Sequence, residues 1–231
     1  MKLEVGAAPV GAPSSLAGRI ATLRGRIAEA AVRAGRDPAS IDLVGITKAQ
    51  PRESVVVAIA AGLNDVGENY VQEAREKYLA LPRVRKHFVG HVQTNKARAI
   101  VELFDVVQSI DRFDAGRAIA RAQRELGKRT RTLLQVNVSP AERFGVAPDE
   151  AAELAARLRE EEGLQIDGVM AIAPAGGDRL QTARAFERAA RTFHEVGGTT
   201  LSLGMSADWE EAIAHGSTML RIGTAIFGAR L

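Results

Sequence analysis

The chain contains no cysteine among its 231 residues, which excludes disulfide bonds, zinc–thiolate sites and a cysteine nucleophile. Aromatic residues make up only 4%, and the formal net charge is only +3. A nucleic-acid-binding surface would need clustered basic charge interleaved with aromatic side chains. No apolar run approaches the roughly 20 residues that a membrane helix requires. We therefore expect a protein that binds neither nucleic acid nor membranes.

The first 13 residues, MKLEVGAAPVGAP, lack the apolar segment of a signal peptide. We predict a flexible N-terminal arm over residues 1–13, a single barrel domain over residues 14–231, and a cytoplasmic location. The motifs GxGxxG, GxxxxGK and GxSxG are also absent from the sequence. The usual signals for dinucleotide, nucleotide and esterase sites are therefore missing.

A segment with helical periodicity follows the N-terminal arm. Leu16, Ile20 and Leu23 begin a series of apolar residues spaced by three and four, and Ser14 or Ser15 can cap its start. This pattern predicts a helix that precedes the rest of the fold.

Short apolar or β-branched segments then alternate with segments of helical period that are rich in Ala, Arg, Glu and Leu. Because most of the short segments are apolar throughout, they are typical of parallel strands covered by helices. Eight such units predict an α/β fold, a single (β/α)8 TIM-type barrel with an extra N-terminal helix. An open doubly wound sheet is the alternative. The predicted strands are 43–47, 63–68, 87–91, 105–110, 132–138, 168–173, 200–205 and 219–223.

Polar residues end or follow most of the predicted strands. Active sites of such barrels lie at the carboxyl ends of the strands, so these residues predict one site at one rim. The residues at these positions are Lys48, Glu68, Asn69, His91, Gln93, Asn95, Lys96, Ser109, Asp111, Asn137, Met170, Ser206, Arg221, Gly223 and Thr224.

Lys48 is one of only six lysines and ends an apolar strand segment. A partly desolvated amine at this position would be a nucleophile for a carbonyl carbon. Alternatively, the side chain simply extends from the mouth of the strand to keep its charge in water. Position alone favours neither interpretation.

The segments after the last two predicted strands are candidates for a phosphate site. Barrels often bind phosphate between these loops and the N-terminus of a short extra helix. Thr224–Phe227 fits such a helix, and Gly223 would let the backbone approach an anion. Ser206 lies opposite, although it could also be an ordinary helix N-cap.

Arg221 lies inside the last apolar strand segment. Its guanidinium could bind phosphate, point to another acceptor within the barrel, or form a structural salt bridge. His87 and His91 are four residues apart, about 13 Å along a strand, which is too far for one metal ion. We therefore predict no metal site.

Six segments carry a resemblance to a known family. The sequence resembles the pyridoxal phosphate homeostasis proteins, a family similar to the N-terminal barrel of alanine racemase. The family usually has Ser-Lys-Thr-Lys-Pro where this chain has Thr47-Lys48-Ala49-Gln50-Pro51, so the lysine is retained and its neighbours differ. The segments are ITKAQP, GENYVQE, HFVGHVQTNK, GVMAIAP, LSLGMSADWEEAIAHGST and RIGTAIFGAR.

The resemblance implies pyridoxal 5'-phosphate (PLP) as cofactor, held as a Schiff base on Lys48. Arg221 would face the pyridine nitrogen. Because an arginine is a permanent cation, it leaves that nitrogen unprotonated and makes the ring a poor electron sink. The other implied cofactor-binding residues are Ser206, Gly223 and Thr224 at the phosphate, and Asn69, His91 and Met170 around the pocket.

By the same resemblance, we expect a PLP-binding protein that acts in intracellular PLP (vitamin B6) homeostasis and amino-acid balance. Alanine racemase-like enzymes add a C-terminal β-domain that pairs subunits and supplies a second acid/base, and the chain ends at Leu231 without it. We therefore expect a monomer without robust turnover, with PLP-dependent apoenzymes as possible partners. The alternatives are a weak PLP-dependent amino-acid racemase or lyase, and a barrel that binds a phosphorylated metabolite or another protein.

Overall fold

The computed structural model describes residues 15–139 and 144–228. Eight parallel strands form a closed barrel in which each strand pairs with the next in the chain and β8 pairs with β1. The predicted barrel is thus confirmed, and the open sheet is excluded. The strands are β1 (Asp42–Ile46), β2 (Asp65–Glu68), β3 (Arg85–Phe88), β4 (Val106–Ile110), β5 (Arg131–Val136), β6 (Ile166–Ala171), β7 (Thr200–Ser202) and β8 (Met219–Ile222).

Helices surround the barrel. In the part of the chain that the structure describes, none is both long and apolar enough to span a lipid bilayer. The α-helices are α1 (Leu16–Arg33), α2 (Arg52–Ala60), α3 (Val71–Lys77), α4 (Ala97–Leu103), α5 (Phe113–Leu126), α6 (Ala151–Glu162), α7 (Arg179–Val196), α8 (Trp209–Ala214) and α9 (Thr224–Phe227).

The extra N-terminal helix is α1. The hydroxyl of Ser15 accepts a hydrogen bond from the backbone N–H of Gly18 (3.1 Å), as expected for a serine N-cap. The helix buries Ile20 and Leu23 and contacts α2, α8 and α9. The predicted arm over residues 1–13 and the alternative cap Ser14 lie outside the described residues.

The predicted strands 87–91 and 200–205 extend three residues past the observed carboxyl ends, and 132–138 and 168–173 extend two residues past theirs. β3 ends at Phe88, so that His91 lies beyond the strand and the strand-spacing argument against a shared metal does not apply to it. β7 ends at Ser202, shortly before Gly204, whose φ of +91° is unfavourable for other residues. A Cβ on Gly204 would also lie 2.7 Å from the Cβ of Ala212.

The barrel has two buried layers, because successive strand residues face opposite sides of the sheet. Leu43 and Phe88 belong to the apolar core beneath the helices. The inner layer contains polar side chains: the hydroxyl of Ser202 donates to Oε1 of Gln108 over 2.7 Å. Since β4 and β7 are not neighbours, this hydrogen bond crosses the barrel interior.

Candidate functional site

Lys48 lies in a tight turn at the carboxyl end of β1. The backbone N–H of Thr47 donates to the carbonyl oxygen of Gly67 (2.8 Å), and that of Gln50 donates to the carbonyl oxygen of Thr47 (3.0 Å). Ala49, within the turn, has a φ of +57°. A left-handed conformation costs a non-glycine residue about 1–2 kcal/mol. Backbone hydrogen bonds close this turn although the backbone of Ala49 is strained. The turn places the partly buried Lys48 at the rim of the barrel.

A second lysine, Lys77, stabilises this turn through hydrogen bonds. Nζ of Lys77 donates to the carbonyl oxygen of Thr47 (2.6 Å), to Oε2 of Glu68 (2.7 Å) and to Oε2 of Glu73 (3.3 Å). The side chain of Lys77 is 8% exposed and that of Glu68 is fully buried. A buried ion pair of this kind needs additional hydrogen bonds to offset desolvation, and the carbonyl of Thr47 supplies one.

The hydroxyl of Thr47 joins the same network. It lies 2.8 Å from the hydroxyl of Tyr78 and 3.2 Å from Oε2 of Glu68. Burial raises the pKa of Tyr78 far above its ordinary value, so the phenol stays protonated and can donate to Thr47. Thr47 can then donate to Glu68. The hydroxyl of Tyr78 therefore helps to stabilise the turn.

The candidate phosphate residues lie where β7, β8 and β1 end. The hydroxyl oxygen of Ser206 accepts a hydrogen bond from the backbone N–H of Ala225 (3.3 Å), in the first turn of α9. α9 begins at Thr224, as predicted. The carbonyl oxygen of Ile46 lies 3.7 Å from where a Cβ on Gly223 would be, so the ends of β1 and β8 are side by side.

Ser206 is not the cap of the helix that follows it. α8 begins at Trp209, and Asp208 occupies the N-cap position. The alternative role considered for Ser206 is therefore not the one observed. A carboxylate oxygen of Asp208 instead accepts from the backbone N–H of Met205 (2.5 Å), which stabilises the turn that presents Ser206.

Arg221 points into the barrel. One terminal nitrogen donates to both the carbonyl and the hydroxyl oxygen of Ser202 (2.7 and 2.6 Å), and the other donates to the carbonyl oxygen of Ala171 (2.8 Å). No carboxylate of residues 15–139 or 144–228 forms an ion pair with it, so the structural salt bridge is not the arrangement found. Burial lowers the pKa of Arg221 to about 10, while the charge of Asp208 opposes this shift. The group remains a cation at neutral pH.

Two of the five N–H groups of Arg221 have no acceptor within the described part of the chain: the one on Nε and the second one on the nitrogen that binds Ala171. The hydrogen bonds to Ser202 and Ala171 use both terminal nitrogens of the guanidinium, and none uses Nε. Because arginine can only donate, Nε is available as a hydrogen-bond donor to a further acceptor.

His91 makes its contacts with the neighbouring rim segments. Its ring stacks on Phe144 with 4.0 Å between ring centroids. Nδ1 lies 3.2 Å from Oδ2 of Asp111, but this nitrogen is buried without a properly directed hydrogen bond among the described residues. We regard the pair as an electrostatic contact. A terminal nitrogen of Arg112 lies 3.4 Å from Nε2 of His91.

Asn69 and Met170 occupy different levels of the same end of the barrel. The backbone N–H of Asn69 donates to Oε1 of Glu68 (2.8 Å). A Cβ on Gly90 would lie 2.0 Å from the carbonyl oxygen of Asn69, so these two loops are in backbone contact. Met170 is buried in β6, where it pairs with Ser202 of β7. The contacts of these residues with a cofactor stay predictions.

The titratable residues do not converge on a metal site. His87 is bound to Asp65, whereas His91 contacts Asp111. Glu68 pairs with Lys77 and does not meet Asp111. Within residues 15–139 and 144–228, no three His, Asp or Glu side chains are close enough together to hold one ion.

The sequence pattern missed several polar residues that fix the site. Ser202 and Gln108 lie inside strands that the sequence presents as apolar, and Lys77 and Tyr78 lie at the end of a helix. A polar residue within an apolar strand is the only available signal. The sequence does not show which side chain such a residue will meet, because that depends on the register of the strands in the closed barrel.

Comparison with known proteins agrees with the geometry. The family model described as the N-terminal domain of alanine racemase matches residues 22–231. The pyridoxal phosphate homeostasis protein of Pseudomonas aeruginosa is 42% identical over 223 residues, 94% of this chain and 96% of that protein. The protein of the same name from Escherichia coli K12 is 40% identical over 232 residues, with 94% and 97% covered.

A solved structure is also similar throughout. PipY of Synechococcus elongatus with PLP bound superposes with a TM-score of 0.82 at 33% identity, covering 93% of this chain and all of PipY, 100%. The chain therefore belongs to the alanine racemase N-terminal domain family and, within it, to the family of pyridoxal phosphate homeostasis proteins.

Proposed function

We propose that this protein binds PLP covalently through Nζ of Lys48 and acts in intracellular PLP homeostasis and amino-acid balance, without robust turnover. The names of the relatives and the PLP-bound structure of PipY support this proposal. The observation that carries it is the buried guanidinium of Arg221, which keeps two N–H groups, the one on Nε among them, without an acceptor in the described chain. We further propose that the protein acts as a monomer and supplies PLP to PLP-dependent apoenzymes.

The donors at this end of the barrel fit the three functional groups of PLP. When bound, PLP supplies an aldehyde that condenses with an amine with loss of water, and a ring that can accept electrons. Lys48 is the amine at the rim. Arg221 supplies a donor for the ring nitrogen. Ser206 and the start of α9 supply hydroxyl and amide donors of the kind that bind phosphate.

The hydroxyl of Ser206 can donate to an anion. Its oxygen already accepts from the N–H of Ala225, so its own hydrogen is available to donate. Gly223 and Thr224 would add backbone and hydroxyl donors at the same point. Asn69, His91 and Met170 would then flank the ring. This division of roles is part of the proposal.

Arg221 also favours a carrier over an enzyme. Because the guanidinium is a cation that only donates, a ring nitrogen next to it must accept and stay unprotonated. An unprotonated ring withdraws electrons less strongly, which disfavours transamination and most carbanion chemistry. The protein can therefore hold PLP at Lys48 with little turnover of amino acids.

The experiment is a titration of the purified protein with PLP, followed by absorption spectroscopy. We expect the wild-type protein to develop a visible band that Lys48→Ala lacks. Lys96→Ala is the matched control, because Lys96 is a partly buried lysine in the segment after β3 and has no proposed contact with PLP. A colourless wild-type protein, or a band of equal strength in Lys48→Ala, would contradict the proposal.

A weak racemase or lyase is the second candidate, and one observation favours it. His91, a potential base, lies at the same rim with Nδ1 3.2 Å from a carboxylate oxygen of Asp111. Incubation of the PLP-loaded protein with L- or D-alanine would then give slow racemisation or loss of substrate that His91→Asn abolishes. Equal background rates in both proteins would leave the carrier as the function.

A further inference from the structure

The guanidinium of Arg221 begins a series of hydrogen bonds through the barrel interior. Arg221 donates to the hydroxyl oxygen of Ser202 (2.6 Å), and Ser202 donates to Oε1 of Gln108 (2.7 Å). All three side chains are buried. The series therefore leads from the proposed PLP pocket towards the opposite end of the barrel.

The second half of the series reaches a carboxylate. Nε2 of Gln108 lies 2.9 Å from Nδ1 of His87, and Nε2 of His87 lies 2.8 Å from Oδ1 of Asp65. Asp65 is the first residue of β2, at the amino end of the barrel. We call Arg221, Ser202, Gln108, His87 and Asp65 the interior chain.

The side-chain amide of Gln108, with Oε1 towards Ser202 and Nε2 towards His87, gives the interior chain one direction. Burial alone would raise the pKa of Asp65, but hydrogen bonds from His87 and Arg85 and the charge of Arg85 outweigh it and lower the pKa, so Asp65 is ionised. A carboxylate only accepts, so Nε2 of His87 carries the hydrogen and Nδ1 accepts from the amide nitrogen of Gln108. His87 must therefore be neutral.

Every link thus donates in the same sense, from a cation at one end to a carboxylate at the other. Aligned hydrogen bonds polarise one another and are stronger in a low-dielectric interior. The neutral links also allow Arg221 to remain charged without a carboxylate beside it. A residue that reversed or broke one link would leave buried polar groups unsatisfied.

We propose that the interior chain positions Arg221 for the ring nitrogen of PLP. Ser202 and the carbonyl of Ala171 fix the two terminal nitrogens, and so fix the plane of the guanidinium and the direction of its Nε–H. Gln108 and His87 act through Ser202 and do not touch the cofactor. The inference rests on the proposed function, because it requires PLP next to Arg221.

The first test compares Ser202→Ala with Ser202→Thr. Ser202→Ala removes one acceptor of Arg221 and the donor to Gln108, whereas Thr keeps the hydroxyl. We expect Ser202→Ala to bind PLP about tenfold more weakly, equivalent to about 1.4 kcal/mol, and with a shifted absorption maximum, because Arg221 loses one acceptor. Ser202→Thr should restore both properties towards the wild type.

The second test interrupts the chain further from the pocket. Gln108→Met removes the link to His87 with little change in volume and should also weaken PLP binding severalfold. Met219→Leu is the control, because the sulfur of Met219 lies 3.2 Å from Nε2 of Gln108 but is not part of the interior chain. It should leave affinity and spectrum unchanged.

A third measurement needs no PLP. Nitrogen-15 NMR of the ligand-free wild-type protein should show His87 as the neutral tautomer with hydrogen on Nε2. In Gln108→Glu, a carboxylate would face Nδ1 as well, and we expect a doubly protonated ring. A doubly protonated His87 in the wild type would overturn the direction of the chain.

Failure of the inference can be told apart from failure of the proposed function. If the wild type binds PLP at Lys48 but Ser202→Ala and Gln108→Met match it in affinity and spectrum, the interior chain has no positioning role. If the wild type itself does not bind PLP, the proposed function is wrong.

Discussion

Nζ of Lys77 lies 2.7 Å from Oε2 of Glu68, and the two side chains form an ion pair almost completely excluded from solvent. The same ammonium donates to the carbonyl oxygen of Thr47, the residue before Lys48. The end of α3 is therefore tied to the turn that presents the proposed PLP-binding lysine. The same ammonium therefore contributes both to the stability of the fold and to the geometry of the site.

Removing one partner of this ion pair should be costly. Lys77→Met leaves the carboxylate of Glu68 buried and uncompensated, and we expect a loss of about 3–5 kcal/mol in the free energy of unfolding, measured by urea denaturation. The double variant with Glu68→Gln should recover most of that loss. Glu73→Gln is the control: its side chain is 40% exposed, so it should cost less than about 1 kcal/mol. Equal stability of Lys77→Met and wild type would contradict the prediction.

The strained turn predicts a stabilising substitution. Ala49 has a φ of +57°, which glycine adopts without steric cost, so Ala49→Gly should raise the free energy of unfolding by about 0.5–1 kcal/mol. The same change at Ala21, an exposed position within α1, should lower it by about 1 kcal/mol. Thermal and urea unfolding of the two variants would check the opposite signs. A loss of stability at both positions would show that the turn is not strained as described.

Because the loops after β2 and β3 are in contact, we predict that a substitution at Gly90 destabilises the protein. A Cβ there would lie 2.0 Å from the carbonyl oxygen of Asn69, so Gly90→Ala must displace backbone at the rim. We expect a loss of about 1–3 kcal/mol in stability and weaker PLP binding. Gly25→Ala has open space within α1 and should instead gain about 0.5–1 kcal/mol. An unperturbed Gly90→Ala protein would argue against this contact.

The interior carboxylate predicts a specific pH dependence. Because the pKa of Asp65 is lowered in the folded state, its contribution is complete above the unfolded pKa, near 3.9, and is lost as the pH falls through the folded value. Asp65→Asn should therefore lower stability by about 3 kcal/mol at pH 7, and the difference from wild type should shrink below about pH 4.

Asp42→Asn is the matched control for this series. Asp42 lies 3.4 Å from the same Arg85, but its side chain is 43% exposed, so it should change stability by less than about 1 kcal/mol. Urea midpoints of the three proteins between pH 7 and pH 3 would measure both effects. A gap between Asp65→Asn and wild type that widens with acid would contradict the assignment.

The barrel could be predicted from the sequence because parallel strands covered on both faces are apolar throughout. All eight strand segments and the capped helix α1 were located this way. The carboxyl ends of the strands were predicted less accurately than their positions in the chain. β3 and β7 stop early because Gly90 and Gly204 lie against backbone or side chains of other elements, which a local pattern does not record.

The rim of the site was predictable for a different reason. Residues after parallel strands meet at one end of a barrel, so Lys48 and Ser206 could be assigned to the same rim without knowing any contact. The support beneath them could not be predicted. The contact of Lys77 with Thr47, and the series from Arg221 to Asp65, depend on register and on side chains that meet only after closure.

The central claim is that Lys48 is the covalent attachment point of PLP. The most direct measurement is borohydride reduction of the PLP-loaded protein, followed by proteolysis and mass mapping of the labelled peptide. We predict a single reduced adduct on Lys48 and none on Lys77, whose ammonium is buried and bound to three acceptors. An adduct on another lysine, or no adduct at all, would contradict the claim.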